Sequence, residues 1–154
     1  MTTAIAQFMR ELERLWDEHR EASVARRDLA GALAHLAAEP SVWHLPAKTG
    51  AAGRPALERF YAEDFLPHVP GDLAVTRLSR TVDRFHLVDE ATVSFTHDRD
   101  MPWLLPGVAP THRRAEVLTV AVVGFERRLI RSQRIHWDHA PLARQLGIPG
   151  PPSA

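Results

Sequence analysis

The hydrophobic period of this chain changes once, and that change constrains the fold more than any other feature. Through roughly the first 70 residues the apolar side chains recur at helical spacing; from Leu73 onward they alternate. Ile5, Phe8, Met9, Leu12, Leu15, Trp16 and His19 make one stripe of an amphipathic helix. A second helix is expected from Asp28, a fair N-cap, carrying Leu29, Leu33 and Leu36. Glu39 and Pro40 are expected to stop it, because the residue before a proline disfavours the α region. Residues 41–45 read as a short strand and residues 48–53 (KTGAAG) as a flexible loop. Pro55 suits the first turn of a third helix with Leu57, Phe60, Tyr61 and Phe65, which Pro67, Pro70 and Gly71 end.

The second half reads as strands over 73–81, 84–88, 91–99, 113–125 and 129–138. Glu126, Arg127 and Arg128 form a tight polar connection, so the last two strands are expected to make an antiparallel hairpin. Residues 102–110 read as a proline-rich loop and 140–146 as a short final helix. Helices first and strands afterwards make an α+β domain, with helices packed on one face of a strongly curved antiparallel sheet. The domain is expected to span 1–148, with 149–154 as a loose tail. Residues 117–123 are apolar at both parities, which predicts burial on both faces, one against the helices and the other against a second subunit. A homodimer is therefore expected.

Bulk composition removes several classes of function. Lys+Arg and Asp+Glu are both 19, so no global basic field exists for a nucleic acid. There is no cysteine, which excludes disulfides and thiolate metal sites. The N-terminus carries charges every few residues, unlike a secretory signal or a membrane span. A cytoplasmic protein without membrane or nucleic-acid partners is expected. Lys48 is the only lysine among the 19 basic residues, read as a GC-rich bacterial coding bias.

Three titratable residues stand near the ends of apolar runs: His44 in VWHLP, His97 in FTHDRD and Asp138 in IHWDHA. A strand ending in such a group can place a proton-transfer side chain at the wall of an apolar interior. His97 continues the parity of Val93 and Phe95, and a buried structural histidine is its competing reading. Asp138 competes with its own use as an N-cap of the last helix. Arg99 can bind an anionic group or pair with Asp98 or Asp100. Trp43, Tyr61, Phe65, Trp103, Leu105 and His136 complete the expected substrate-binding set. His136 and Asp138 share a face that His44 or His97 could complete as a metal site, but no diagnostic ligand spacing is present, so neither metal nor cofactor is expected.

Three stretches, VWHLPAKTGAAGRPALERFYAEDFLP, LVDEATVSFTHDRDMPWLLPGVAPTHRRAEVLTVAVVGFE and RIHWDHAPLARQLG, carry a resemblance to the NTF2-like superfamily. Within it they resemble the SnoaL-like polyketide cyclase group, over roughly residues 10 to 148. The resemblance implies a cone: helices covering a bent sheet, with a deep pocket between. It implies that Asp138, near the end of the last strand, is the base of an aldol reaction, and that His44 and His97 line the pocket. The chain departs from some relatives in having His136 where a tyrosine is common and Arg134 where a histidine is common.

These readings combine into an expected function. A cofactor-independent enzyme would act on a hydrophobic carbonyl compound by cyclisation or isomerisation. Asp138 would take a proton from carbon beside the carbonyl, and His97 or His44 would donate a hydrogen bond to the enolate oxygen. Two rivals stand beside it. One is epoxide hydrolysis using Asp138, Arg99 and Asp100, and the other is a binding protein for a hydrophobic molecule without catalysis.

Overall fold

The computed structural model describes residues 2–150, so most of the expected tail, 151–154, lies outside the described residues. Helix α1 (Thr2–Arg20) buries one stripe, Leu12, Trp16 and His19, and a π-helical segment (Glu21–Ala25) continues it to the buried Ser23. Steps of three and four residues keep these side chains on one face. Helix α2 (Leu29–Ala34) begins after Asp28, whose side chain makes no cap hydrogen bond. Helix α3 (Arg54–Arg59) has Pro55 in its first turn and runs on through π-helical turns (Phe60–Phe65) and one 3-10 turn (Leu66–His68).

One sheet holds six strands: β1 (Leu36–Leu45), β2 (Thr49–Ala52), β3 (Ala74–Val82), β4 (His86–Thr96), β5 (Arg114–Glu126) and β6 (Leu129–Trp137). Their spatial order is β2-β1-β6-β5-β4-β3. Helix α4 (His139–Leu146) follows β6 and ends on Gly147 in the left-handed region. Pairing irregularities between Leu36 and Ser41, Arg77 and Ser79, and Gly124 and Phe125 interrupt the ladders. Such interruptions bend a sheet, here around α1 and the segment after α3. The result is an α+β cone with helices on the concave side. No helix among the described residues is long and apolar enough to cross a membrane.

Four local expectations are corrected. The second helix stops at Ala34, and Leu36, Glu39 and Pro40 belong to β1. Proline donates no ladder hydrogen bond, and the irregularity just before Ser41 absorbs it. Residues 49–52 form strand β2 rather than a loop. Small residues carry little strand preference, but Gly50 sits where a Cβ would run into the Val42 carbonyl, so a side-chain-free residue permits the close pairing. The expected strands 84–88 and 91–99 are one strand, β4, which runs unbroken through Asp89 and Glu90. Asp89 points inward and is buried against Arg80 and Trp16.

The fourth correction concerns the sheet, which is mixed. Strand β1 runs parallel to β6, with His44 opposite Ile135 and Val42 opposite Gln133. Strands so far apart in sequence need no hairpin between them, so nothing local dictates their direction. The parallel pairing brings the C-terminal ends of β1 and β6 to the same end of the cone. Strand β5 turns Val117, Thr119, Ala121 and Val123 inward. Its outward residues are less covered: Val120 and Val122 are half-buried and Leu118 is exposed.

Candidate functional site

A cavity of about 100 Å³ lies between α1, the π-helical turns after α3 and the inner face of the sheet. Five of the six strands contribute through their inward parity: Val42 and His44 from β1, Gln133, Ile135 and Trp137 from β6, Thr119 and Ala121 from β5, Val93 from β4 and Val75 from β3. Tyr61, Phe65 and Trp103 close one side, and Trp16, His19, Arg20 and Ser23 another. No Asp or Glu lines it among the described residues.

His44 is the polar centre of an aromatic box. Its ring lies 5.1 Å from Trp103, 5.8 Å from Phe65 and 6.2 Å from both Phe60 and Trp137, centroid to centroid. Trp137 Nε1 donates to His44 Nδ1 at 3.2 Å. An indole N–H only donates, so Nδ1 holds a lone pair and the ring proton sits on Nε2. That Nε2–H has no hydrogen-bond partner among the described residues, although the ring lines the cavity. Burial pushes the His44 pKa down from 6.5 to about 3, which keeps the imidazole neutral at ordinary pH.

A second polar group forms where α1 meets β6. His19 Nδ1 lies 3.1 Å from the Ala32 carbonyl oxygen, so Nδ1 carries the proton and donates. Its Nε2 lone pair lies 2.9 Å from Gln133 Nε2 and 3.2 Å from the Tyr61 hydroxyl. Burial, with the nearby His35 charge adding to it, pushes the His19 pKa down to about 4. Burial raises the Tyr61 pKa, so the phenol keeps its proton. Thr119 Oγ1 and Ser23 Oγ are committed as donors to the Ala91 and His19 carbonyl oxygens.

Behind Trp16 and Arg20 lies the buried carboxylate of Asp89. Burial pushes its pKa up, but hydrogen bonds and charge from Arg80 outweigh this and hold it below the usual range. It accepts from Arg80 Nε at 2.6 Å and Nη2 at 2.8 Å, and from Trp16 Nε1 at 2.9 Å.

Of the three expected chemical residues, the fold brings only His44 to the cavity. His97 is fully buried, as its parity predicted, but it stands beyond the cavity at the end of β4. Its Nδ1 accepts from the Thr111 N–H at 3.2 Å and lies 3.0 Å from Thr111 Oγ1, fastening the strand end to the loop before β5. Burial, then the charge of His112, lowers its pKa. Asp138 is exposed and occupies the N-cap position of α4, where its backbone accepts from Leu142 but its side chain makes no cap bond. The reason is parity: Trp137 points inward, so its neighbours His136 and Asp138 cannot.

Among the expected substrate-binding residues, Tyr61, Phe65 and Trp103 line the cavity. Trp43 takes the opposite parity to His44, and Leu105 is buried in the core away from the lining. Arg99 is held by Asp98 at 2.9 Å, and His136 is exposed. The sequence reading missed His19, Arg20, Gln133, Ser23 and Thr119. Three signals were available: His19 ends the apolar stripe of α1, Gln133 shares the parity of Trp137, and Thr119 shares that of Val117 and Val123. Among the described residues no three His, Asp or Glu side chains gather as a metal site.

No family model matches this chain, and no curated protein matches it in sequence. Solved structures do match. A protein from Jannaschia sp. CCS1 assigned as a SnoaL-like polyketide cyclase superposes with a TM-score of 0.70 at 20% identity, covering 94% of each chain. An NTF2-like protein of unknown function from Burkholderia pseudomallei gives 0.67 at 21% identity, over 88% of this chain and 97% of that one. An epoxide hydrolase/cyclase-like enzyme of pyran ring formation in the polyether salinomycin gives 0.64 at 12% identity, over 86% and 94%. These likenesses, together with the helix-lined cone and its six-stranded sheet, establish that the chain has the NTF2-like fold, shared with SnoaL-like proteins.

Proposed function

We propose that the protein binds a compact hydrophobic carbonyl compound inside the cone and holds its oxygen with the Nε2–H of His44. One observation carries this reading. A neutral imidazole, its other nitrogen engaged by Trp137, leaves a donor without a protein partner in a wall of aromatic rings. A donor in such a place is left unpaired until a ligand supplies an acceptor. Size restricts the ligand further. An apolar cavity of about 150 Å³ takes a benzene ring, so one of about 100 Å³ suits a single small ring or an equivalent branched chain. Trp16, Trp103 and Trp137 line the cavity, so their fluorescence reports occupancy. Cyclopentanone should quench it and bind about tenfold more tightly than cyclopentane, the worth of one hydrogen bond. Equal affinity for the two, or no response to either, would sink the reading.

Proton transfer next to the carbonyl is a second reading, favoured by the His19 lone pair at the cavity wall. His19 Nε2, once released from its contacts with Gln133 and Tyr61, would take the proton from carbon while the electron pair moves to the oxygen held by His44. No carboxylate lines the cavity, so this reading needs no part of Asp138, and the NTF2-like epoxide hydrolase reading lacks its two carboxylates. Protein-dependent deuterium exchange at the carbons beside the cyclopentanone carbonyl tests it; exchange no faster than in buffer refutes it. A homodimer through the outer sheet face around Leu118, Val120 and Val122 belongs to the same proposal. Light scattering giving only the monomer mass at tens of micromolar would refute that part.

A further inference from the structure

Arg20 is the one arginine that lines the cavity among the described residues, and its surroundings leave it short of partners. It stands at the C-terminal end of α1, on the turn that follows Trp16 and precedes Ser23. Its side chain retains 27% of its accessible surface. Its Nε is buried and has no hydrogen-bond partner among the described residues. The nearest carboxylate oxygen, Asp89 Oδ2, is 4.0 Å from Nη1, beyond hydrogen-bond reach.

Asp89 does not make up the difference, because it is already engaged. Arg80 grips both of its oxygens in the two-bond geometry typical of guanidinium and carboxylate, and Trp16 takes a further lone pair. Arg80 in turn donates to Asp17 at 2.7 Å and 3.2 Å. Arg20 is therefore the outer member of the cluster, attracted to it but not bonded into it. Its guanidinium lies 5.7 Å from the Trp16 ring centroid, which supports the flat group from one side. Burial pulls its pKa down, the mark of a cation stripped of water faster than it has gained anions.

The rest of the cavity sorts the possible ligands. Among the described residues its lining contains no anionic side chain, and the polar atoms without a partner besides Arg20 Nε include a donor, His44 Nε2–H, and one amide acceptor, Gln133 Oε1. Arg20, Val24, Leu73, Val75 and Ile135 are the half-buried lining members, and the accessible surface left to Arg20 marks an open side of the cavity. The other lining residues are buried, and His44, Tyr61, Phe65, Trp103 and Trp137 among them form an aromatic floor.

We propose that the ligand is an apolar carboxylic acid, its carboxylate paired with the Arg20 guanidinium at the open side and its hydrocarbon body against the aromatic floor. This rests on the cavity being a ligand site, and it narrows the ligand from a neutral carbonyl compound to an acid. A planar carboxylate matches the guanidinium fork with two parallel hydrogen bonds, and the low-polarity wall strengthens both. An oxo acid would satisfy both donors at once, the acid group at Arg20 and the carbonyl at His44.

Cyclopentanecarboxylate and cyclopentanecarboxamide have nearly the same size and shape but differ in charge, and tryptophan quenching reads both. The wild-type protein at pH 7 and low salt should bind the carboxylate at least about tenfold more tightly than the amide, as a charge-assisted pair requires. The preference should weaken as salt is raised. Arg20→Met should bring the ratio of the two affinities close to one. Arg20→Lys, which keeps the charge and loses the fork, should fall between. A wild-type ratio near one, or a ratio that survives Arg20→Met, overturns the proposal while leaving the cavity reading intact through amide or cyclopentanone binding. Failure of every probe to bind overturns both. The salt and charge dependence of the wild-type protein decides the matter even if a variant fails to fold.

Discussion

His44 and His97 are both buried histidines near the ends of apolar strands, yet the cone gives them opposite surroundings. His44 on β1 meets Trp137 through one nitrogen and lines the cavity. His97 on β4 meets the backbone and hydroxyl of Thr111, and its buried Nε2 faces no partner among the described residues. Burial lowers the pKa of both rings. Only convergence with other side chains on an open volume gives a ring something to act on. A buried polar residue is therefore a marker of structure first, and of function only where a cavity meets it.

The largest expected effect tests the lowered pKa of the two cavity histidines, His44 and His19. The unfolded chain takes up histidine protons near pH 6.5, whereas the folded protein resists until about 3 at His44 and about 4 at His19. The unfolded state thus binds more protons between these limits, so stability is full above the ordinary histidine pKa and falls as pH drops through that window. Urea unfolding at pH 7 and pH 5 should differ by roughly 4 kcal/mol from these two groups, and His97 adds in the same direction. A difference under about 1 kcal/mol would mean that the rings accept protons in the folded protein.

Next in size are matched replacements by phenylalanine. His44→Phe keeps the bulk of the ring but strands Trp137 Nε1, at a cost of about 1–3 kcal/mol, and should abolish the preference for cyclopentanone over cyclopentane. His97→Phe removes the acceptor of the Thr111 N–H, at a similar or smaller cost, and should leave that preference in place. Loss of the preference in His97→Phe would erase the distinction between the two histidines.

Smallest is the effect expected at Asp138. Its side chain makes no cap bond, so Asp138→Ala should change stability by less than about 0.5 kcal/mol in urea, the range of ordinary surface substitutions. Asp138→Asn should leave ketone affinity unchanged. A fall of about 10²–10⁴-fold in any measured turnover would instead restore Asp138 as the base.

Much of this molecule was legible before folding. The period change at Leu73 located the helical and strand-forming halves, and the parity of Val93, Phe95 and His97 placed His97 inside. Pro55 and the Glu126–Arg128 connection marked a helix start and a hairpin turn. Other features were hidden because their cause lies far away in the chain. Strand β4 runs unbroken through Asp89 and Glu90, where two strands were expected, and the partners that bond Asp89, Arg80 and Trp16, lie outside that stretch of sequence. Residues 49–52 looked like a loop because nothing in TGAA announces its pairing with β1.

The sequence alone determined the α+β class, the stripe ending in His19 and the alternation that turns Val93, Phe95 and His97 inward. Local periodicity suffices for these, since side-chain direction follows from the geometry of a single helix or strand. Tertiary structure decided which inward groups share a space. Parallel pairing of β1 with β6 set His44 beside Trp137, and the close of α1 brought Arg20 and His19 to the same cavity. Those meetings depend on strand order, on direction and on how far the sheet bends, quantities that arise only when distant segments pack and that no short window of sequence contains.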